Sequence, residues 1–151
     1  MNKKEIVQIL IDCFARGGKV LICGNGGSAS MAQHMAAELI CKFEQERKPL
    51  PAIALTTNTS ILTAWSNDKS FDGVFARQIE ALGVKGDVLI ILSTSGKSEN
   101  CRQAFNQAKY QQLEVIEFPG LTSRKDSAAT TQEYQLKLMH DIVREVELAF
   151  I

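Results

Sequence analysis

Two short segments rich in glycine, serine and asparagine constrain the fold of this chain most, because each follows an apolar run and precedes a helical pattern. They are Cys23-Gly24-Asn25-Gly26-Gly27-Ser28 and Ser93-Thr94-Ser95-Gly96-Lys97-Ser98. A strand that leads through such a loop into a helix places free backbone N–H groups and small polar side chains at the carboxyl end of a sheet. The two segments therefore predict an α/β fold with an anion-binding edge.

The spacing of apolar residues alternates between helical and extended periods along the whole chain. We predict strands at 19–23, 50–55, 88–92 and 114–118. We predict helices from the amino end to Gly17-Gly18 and then at about 28–42, 60–66, 71–82, 99–111 and 131–150. Strand 88–92 is the most apolar, as expected of a central parallel strand. The alternation predicts a three-layer αβα arrangement around a doubly wound parallel sheet, formed by a single domain over residues 1–151.

Charge and cysteine content exclude several classes of partner. Seventeen basic residues balance seventeen acidic ones, so no overall positive field favours nucleic acid or an anionic membrane. The four cysteines form no CxxC pair, a pattern that favours reduced thiols in a cytoplasmic protein. We recognise no signal peptide and no membrane anchor, because no apolar stretch approaches the length of a bilayer span.

Two segments superficially match nucleotide-binding motifs. Gly96-Lys97-Ser98 ends like a Walker A loop, but Ile91 stands where that motif requires its first glycine. Gly24-x-Gly26-x-x-Ala29 fits a loose dinucleotide fingerprint, but the next strand ends in 55–58 without a carboxylate for a ribose. We therefore predict no nucleotide cofactor.

The second loop has the composition of a phosphate cradle. Ser93, Thr94, Ser95 and Ser98 offer hydroxyl groups beside the unpaired amides of a helix start. An ordinary serine N-cap accounts for Ser98 alone. Because the two loops offer many hydrogen bonds and no aromatic platform, they favour a phosphorylated polyol, and we predict a sugar phosphate site.

Two helices carry the candidate acid–base groups. His34 and Glu38 are four residues apart, so they share one helix face. Such a pair is common on protein surfaces and usually has no function, so the spacing by itself is weak evidence. The last helix supplies Gln132 and His140, which are separated by about 12 Å of helix axis. They can meet at one point only if long side chains lean together, the helix start is irregular, or another subunit contributes.

Six segments, read together and in order over nearly the whole chain, resemble the phosphoheptose isomerases, which are sedoheptulose 7-phosphate isomerases of the sugar isomerase (SIS) domain superfamily. They are Gly17-Gly18-Lys19-Val20, Cys23-Gly24-Asn25-Gly26-Gly27-Ser28, His34-Met35-Ala36-Ala37-Glu38-Leu39, Ser66-Asn67-Asp68, Ser93-Thr94-Ser95-Gly96-x-Ser98-x-Asn100 and Gln132-Glu133-(x)6-His140. The resemblance implies a flavodoxin-like sheet and a homotetramer with active sites at subunit contacts. It also implies conversion of sedoheptulose 7-phosphate, a phosphorylated seven-carbon sugar, to D-glycero-D-manno-heptose 7-phosphate.

The same resemblance implies residue roles. Glu38 matches the family's general base and His140 its general acid, the two functions that an aldose–ketose interconversion through an enediol requires. The positions that hold zinc in some members are His34, Glu38, Gln132 and His140. The positions that match substrate contacts are Asn25, Gly26, Gly27, Glu38, Asn67, Asp68, Ser93, Thr94, Ser95, Ser98 and Gln132. A zinc ion could act as a Lewis acid or only hold the architecture.

The chain also departs from the family pattern. Members usually begin with an additional long helix and carry a Thr-Gly-x-x-Gly-Gly loop and a fifth strand after the fourth. Here residues 117–123 and 124–129 leave too few positions for that loop and strand, so we expect a shortened domain with four strands.

Two other functions are alternatives to the isomerase. Some relatives are non-catalytic adaptors that bind the bacterial replication initiator, and a sugar phosphate sensor is a further alternative. Those adaptors lack the acid and the base, whereas Glu38 and His140 are both present here, which favours the isomerase.

Overall fold

The structure is a computed structural model that describes residues 1–120 and 127–151. Its helices are α1 (Lys3–Ala15), α2 (Gly27–Ile40), α3 (Thr59–Asp68), α4 (Val74–Leu82), α5 (Glu99–Tyr110) and α6 (Ala128–Leu148), and its strands are β1 (Val20–Gly24), β2 (Ala52–Ala54), β3 (Val88–Leu92) and β4 (Glu114–Glu117). Within the described ranges, none of the helices combines the length and the apolar character that crossing a membrane requires.

The strands form one parallel sheet in the order β2-β1-β3-β4. Every residue of β1 and of β3 is buried, which confirms that 88–92 is a central strand. From β1 the chain passes to β2 on one side, and from β3 it passes to β4 on the other. The loops after β1 and β3 therefore open side by side where the strand order reverses, which is the usual ligand site of such a sheet.

Helices cover both faces of the sheet, which confirms the three-layer αβα arrangement. Val20 and Ile22 of β1 face a core shared with α1, α2 and α6. Leu21 and Cys23 face the opposite core, shared with α4 and α5. This alternation along β1 follows from the two-residue period of a strand, and it places α2 and α6 together on one face.

Several element bounds differ from the sequence prediction. The strand predicted at 50–55 contains only Ala52–Ala54, because the Leu50 amide donates to the Leu39 carbonyl at the end of α2. The helix predicted at 71–82 begins as a 3-10 turn, Phe71–Gly73, before α4. The last helix begins three residues early, because the Ser127 side chain caps it by accepting from the Thr130 amide.

The described residues contain four strands, as expected. The segment that we predict to lack the Thr-Gly-x-x-Gly-Gly loop and the fifth strand lies partly in 121–126, which is outside the described residues.

Candidate active site

A histidine–carboxylate–histidine cluster forms where α2 and α6 pack against each other. Nε2 of His34 lies 2.9 Å from Oε1 of Glu38, and Nε2 of His140 lies 3.2 Å from the same oxygen. The two imidazole rings meet edge to face with their centroids 5.3 Å apart. The helical spacing of α2 brings His34 to Glu38, and the packing of α6 adds His140. We call these three residues the His–Glu–His cluster.

The carboxylate is the buried member of the cluster, since the side chains of His34 and His140 are 46% and 32% exposed. Glu38 is only 9% exposed, and its Oε2 atom has no hydrogen-bond partner within 1–120 and 127–151. Nε2 of His140 also has no hydrogen-bond partner there, although it lies 3.2 Å from Oε1 of Glu38. Burial raises the pKa of Glu38, and the neighbouring His34 and His140 offset part of that rise. A carboxylate whose pKa is raised is a better general base near neutral pH.

The same atoms suit a divalent metal ion. One ligand atom from each of His34, Glu38 and His140 lies within 4.8 Å of the other two. Imidazole nitrogen and carboxylate oxygen are usual zinc ligands, and three protein ligands leave a position open for substrate or water. The unpartnered Oε2 of Glu38 and Nε2 of His140 are also what such a site would show, so these three residues fit zinc.

The loop after β3 surrounds a small polar pocket with the loop after β1. This pocket, which we call the serine pocket, has a volume of about 60 Å³ and is lined by Asn25, Ser28, Leu92, Ser93, Thr94, Ser95 and Ser98. Ser93 Oγ accepts from the Gly96 amide at 2.9 Å, and Ser95 Oγ accepts from the Lys97 amide at 3.2 Å. Ser98 precedes α5 but its side chain makes no capping hydrogen bond, so the ordinary cap interpretation of Ser98 is wrong.

Comparisons with known proteins give the family. A model of the SIS domain matches residues 2–123. The phosphoheptose isomerase of Campylobacter jejuni serotype O:6 is 44% identical over 156 aligned positions, which cover 95% of this chain and 84% of that protein. The chain belongs to the phosphoheptose isomerase family of SIS-domain proteins. The Clostridium acetobutylicum phosphoheptose isomerase is 55% identical over 117 residues, which cover 78% of this chain and 60% of that protein.

Solved structures of phosphoheptose isomerases have the same fold. That from Neisseria gonorrhoeae superimposes with a TM-score of 0.89 at 36% identity, and that from Francisella tularensis with a TM-score of 0.91 at 34% identity. Each alignment covers 97% of this chain and 85% of the other. The flavodoxin-like SIS fold expected from the sequence is thereby confirmed.

In this phosphoheptose isomerase family member, Gln132 lies against the first residue of α2. A Cβ atom at Gly27 would stand 2.4 Å from Nε2 of Gln132, so the carboxamide occupies the space that this glycine leaves open. Gly27 precedes Glu38 by about three helical turns, on the order of 16 Å along the axis. Within the described chain, Gln132 of α6 therefore lies against the glycine-rich loop, residues 24–27, and does not reach the His–Glu–His cluster.

Asn67 and Asp68 lie apart from both sites. They are exposed in the last turn of α3, where the Asn67 amide donates to the Asp68 carboxylate at 3.0 Å. Neither lines the serine pocket nor belongs to the His–Glu–His cluster in the part of the chain that the structure describes.

Two further features escaped sequence reasoning. The Asn100 and Asn25 carboxamides exchange two hydrogen bonds of 2.8 Å, which ties the glycine-rich loop to the start of α5. Asn100 is 3% exposed. Its position at the end of the segment Ser93–Asn100 was the signal in the sequence that could have indicated this role. The second feature is a buried ion pair between Arg47 and Glu147, beside the His–Glu–His cluster. Its signal in the sequence is that Glu147 places a carboxylate on the apolar face of α6.

Proposed function

We propose that this chain is a phosphoheptose isomerase that converts sedoheptulose 7-phosphate to D-glycero-D-manno-heptose 7-phosphate through an enediol. The observation that carries the proposal is the buried Glu38 carboxylate, which faces His140 from a neighbouring helix at 3.2 Å. The phosphoheptose isomerases of Campylobacter jejuni and Neisseria gonorrhoeae, similar over almost the whole chain, support it.

Glu38 acts as the general base and His140 as the general acid. Glu38 takes a proton from C1 of the ketose while His140 donates one to the C2 carbonyl oxygen, which gives a 1,2-enediol. Return of the proton from Glu38 to C2 and transfer of the C1 hydroxyl proton to His140 complete the aldose and restore both groups. The raised pKa of Glu38 suits both halves, because the group must accept the proton and then release it.

The serine pocket binds the phosphate. Its hydroxyl groups and the amides at the start of α5 supply donors to an anion. We assign Ser93, Thr94, Ser95 and Ser98 to the phosphate. We assign the loop residues Asn25, Gly26 and Gly27, with Gln132 beside them, to the sugar hydroxyls.

We propose that Asn67 and Asp68 contact the substrate at a site shared between subunits of a homotetramer. They do not line the serine pocket, and they lie on α3, a helix with no buried residue. A neighbouring subunit in a homotetramer would supply them to a site at the subunit contact.

We also propose that the chain forms a single domain and that the protein is cytoplasmic. The free cysteines Cys13, Cys23, Cys41 and Cys101 support the cytoplasmic location.

A zinc ion fits the His–Glu–His cluster. His34, Glu38 and His140 would hold it. Because Gln132 of the same chain does not reach the cluster, we propose that Gln132 of a neighbouring subunit is the fourth ligand. When bound, zinc would supply Lewis-acid polarisation of the substrate oxygen in place of proton donation by His140, because an imidazole nitrogen that binds metal carries no proton.

The test is turnover of sedoheptulose 7-phosphate by the purified protein, with zinc supplied or chelated. Glu38→Gln keeps the shape of the side chain but removes its basicity, so turnover should fall by about 10²–10⁴-fold or more. Glu80→Gln is the matched control on an exposed side chain and should turn over like the wild type. A folded wild-type protein that binds the sugar phosphate without turnover under either metal condition would refute the isomerase and favour an adaptor or a sensor.

A further inference from the structure

Residues 41–49, which form most of the connection between α2 and β2, are attached to α6 by one buried carboxylate. Glu147 is 1% exposed. It accepts hydrogen bonds from three consecutive backbone amides, those of Phe43 at 2.8 Å, Glu44 at 2.8 Å and Gln45 at 2.9 Å. Hydrogen bonds to an ionised acceptor are roughly twice as strong as neutral ones, so the backbone at Phe43 is held firmly. We call residues 41–49 the connecting segment.

Arg47 of the connecting segment reinforces this attachment. Its side chain is fully buried, and Nε lies 3.3 Å from Oε1 of Glu147. Its terminal nitrogens donate to the carbonyl oxygens of Glu38 at 2.6 Å and Leu39 at 2.8 Å. A cation that binds the last carbonyls of a helix stabilises its carboxyl end, and here that end carries Glu38.

The ring of Phe43 lies on the imidazole of His140. The two rings are stacked, with centroids 5.2 Å apart and planes inclined by 26°. The Arg144 guanidinium lies 5.4 Å from the centroid of the Phe43 ring and is itself held by two hydrogen bonds to Glu44. The ring is thus fixed through its backbone and covered by a neighbouring side chain.

A histidine on a helix can turn its ring about two side-chain bonds, so contacts decide where Nε2 points. His34 meets the His140 ring at its edge, whereas Phe43 is the ring stacked on it within the described residues. We propose that Phe43, held by Glu147 through the connecting segment, is a positioning residue that directs Nε2 of His140 toward Glu38. The kinetic consequence rests on the proposed function, while the structural consequence does not.

Phe43→Leu tests the proposal because it removes the ring and keeps an apolar side chain. We expect kcat to fall by about 10–100-fold, since small misplacements of a reacting group have effects of that order, with KM little changed. Phe43→Tyr keeps the ring and should restore kcat. Phe150→Leu is the matched control, because that ring packs on Phe14 rather than on His140, and it should leave kcat unchanged.

A second measurement does not depend on turnover. The chain has only two histidines, so nuclear Overhauser contacts between the His34 and His140 rings can be followed by NMR with labelled histidine. We expect the contact to weaken in Phe43→Leu and to persist in Phe43→Tyr and Phe150→Leu. An unchanged contact in Phe43→Leu, or an equal loss of kcat in Phe150→Leu, would overturn the proposal. Absence of wild-type turnover would instead refute the proposed function, and the NMR contact would still decide the role of Phe43.

Discussion

Glu147→Gln should cost this protein a large share of its stability, because the substitution removes the charge from the carboxylate that binds the connecting segment. Glutamine keeps one carbonyl oxygen but replaces the other oxygen with an NH2 group, which cannot accept a hydrogen bond. In one orientation the NH2 group meets the two amides that Oε2 accepts, those of Glu44 and Gln45. In the other orientation it meets Arg47, which Oε1 faces. A lost hydrogen bond to a charged acceptor costs about 1.5–3 kcal/mol. Removing one partner of a buried ion pair costs about 3–5 kcal/mol.

These two costs overlap, so we expect a loss of about 3–5 kcal/mol in the free energy of unfolding, out of the roughly 5–15 kcal/mol typical of a folded domain. For a chain of this length the melting temperature should fall by about 6–20 °C. Urea unfolding followed by circular dichroism measures the loss directly. Glu145→Gln is the matched control, because Glu145 lies on the same helix but is 42% exposed in its pair with Lys3. That control should change stability far less.

The pH dependence gives the sharper test of Glu147. Burial alone would raise its pKa, but the backbone amides of Phe43, Glu44 and Gln45, together with Arg47, lower the pKa below its ordinary value. A carboxyl with a lowered folded-state pKa contributes its stability above the unfolded-state pKa and loses it as the pH falls through the folded-state pKa. The difference in the free energy of unfolding between wild type and Glu147→Gln should therefore be largest near neutral pH. It should begin to shrink as the pH falls below about 4.3, the ordinary pKa of a glutamate, and continue to shrink through the lower folded-state pKa. A difference under about 1 kcal/mol at neutral pH, or one that does not change on acidification, would refute this reasoning.

Three further outcomes follow from the site. Gly24→Ala should destabilise the fold by about 1–3 kcal/mol, because its Cβ would stand 2.8 Å from both the Leu92 carbonyl oxygen and the Ser28 Cβ; an unchanged melting temperature would contradict the close approach. The acid limb of the kcat/KM profile should lie above the ordinary pKa range of a glutamate, because burial raises the pKa of Glu38; a limb within that range would assign the base to another group. Gly27→Ala should displace the Gln132 carboxamide and raise KM as Gln132→Ala does, with little loss of stability; a wild-type KM in both variants would remove Gln132 from the substrate.

The sequence predicted the elements best where the hydrophobic pattern is continuous. Strands β1 and β3 lie within one residue of the predicted bounds, because buried parallel strands are apolar throughout. Strand β2 is shorter than predicted because Pro49 and Pro51 have no amide to donate and the Leu50 amide bonds to the end of α2. Apolar composition alone does not distinguish a paired strand residue from one that closes a helix.

The site was predictable to the extent that local spacing or family motifs described it. The four-residue spacing of α2 is enough to place His34 beside Glu38. The sequence also offered His140 as a candidate, but only the resemblance paired it with Glu38, since the packing of α2 against α6 depends on tertiary structure. Glu147 left a weaker signal: it lies four residues after Val143 on the buried stripe of α6, and a charge on such a stripe requires a partner. The sequence does not identify the partner of Glu147, because most of its hydrogen bonds come from three backbone amides some hundred residues away. The stacking of Phe43 on His140 depends on that attachment, so the contact that orients the proposed acid follows from the folded chain and not from any motif.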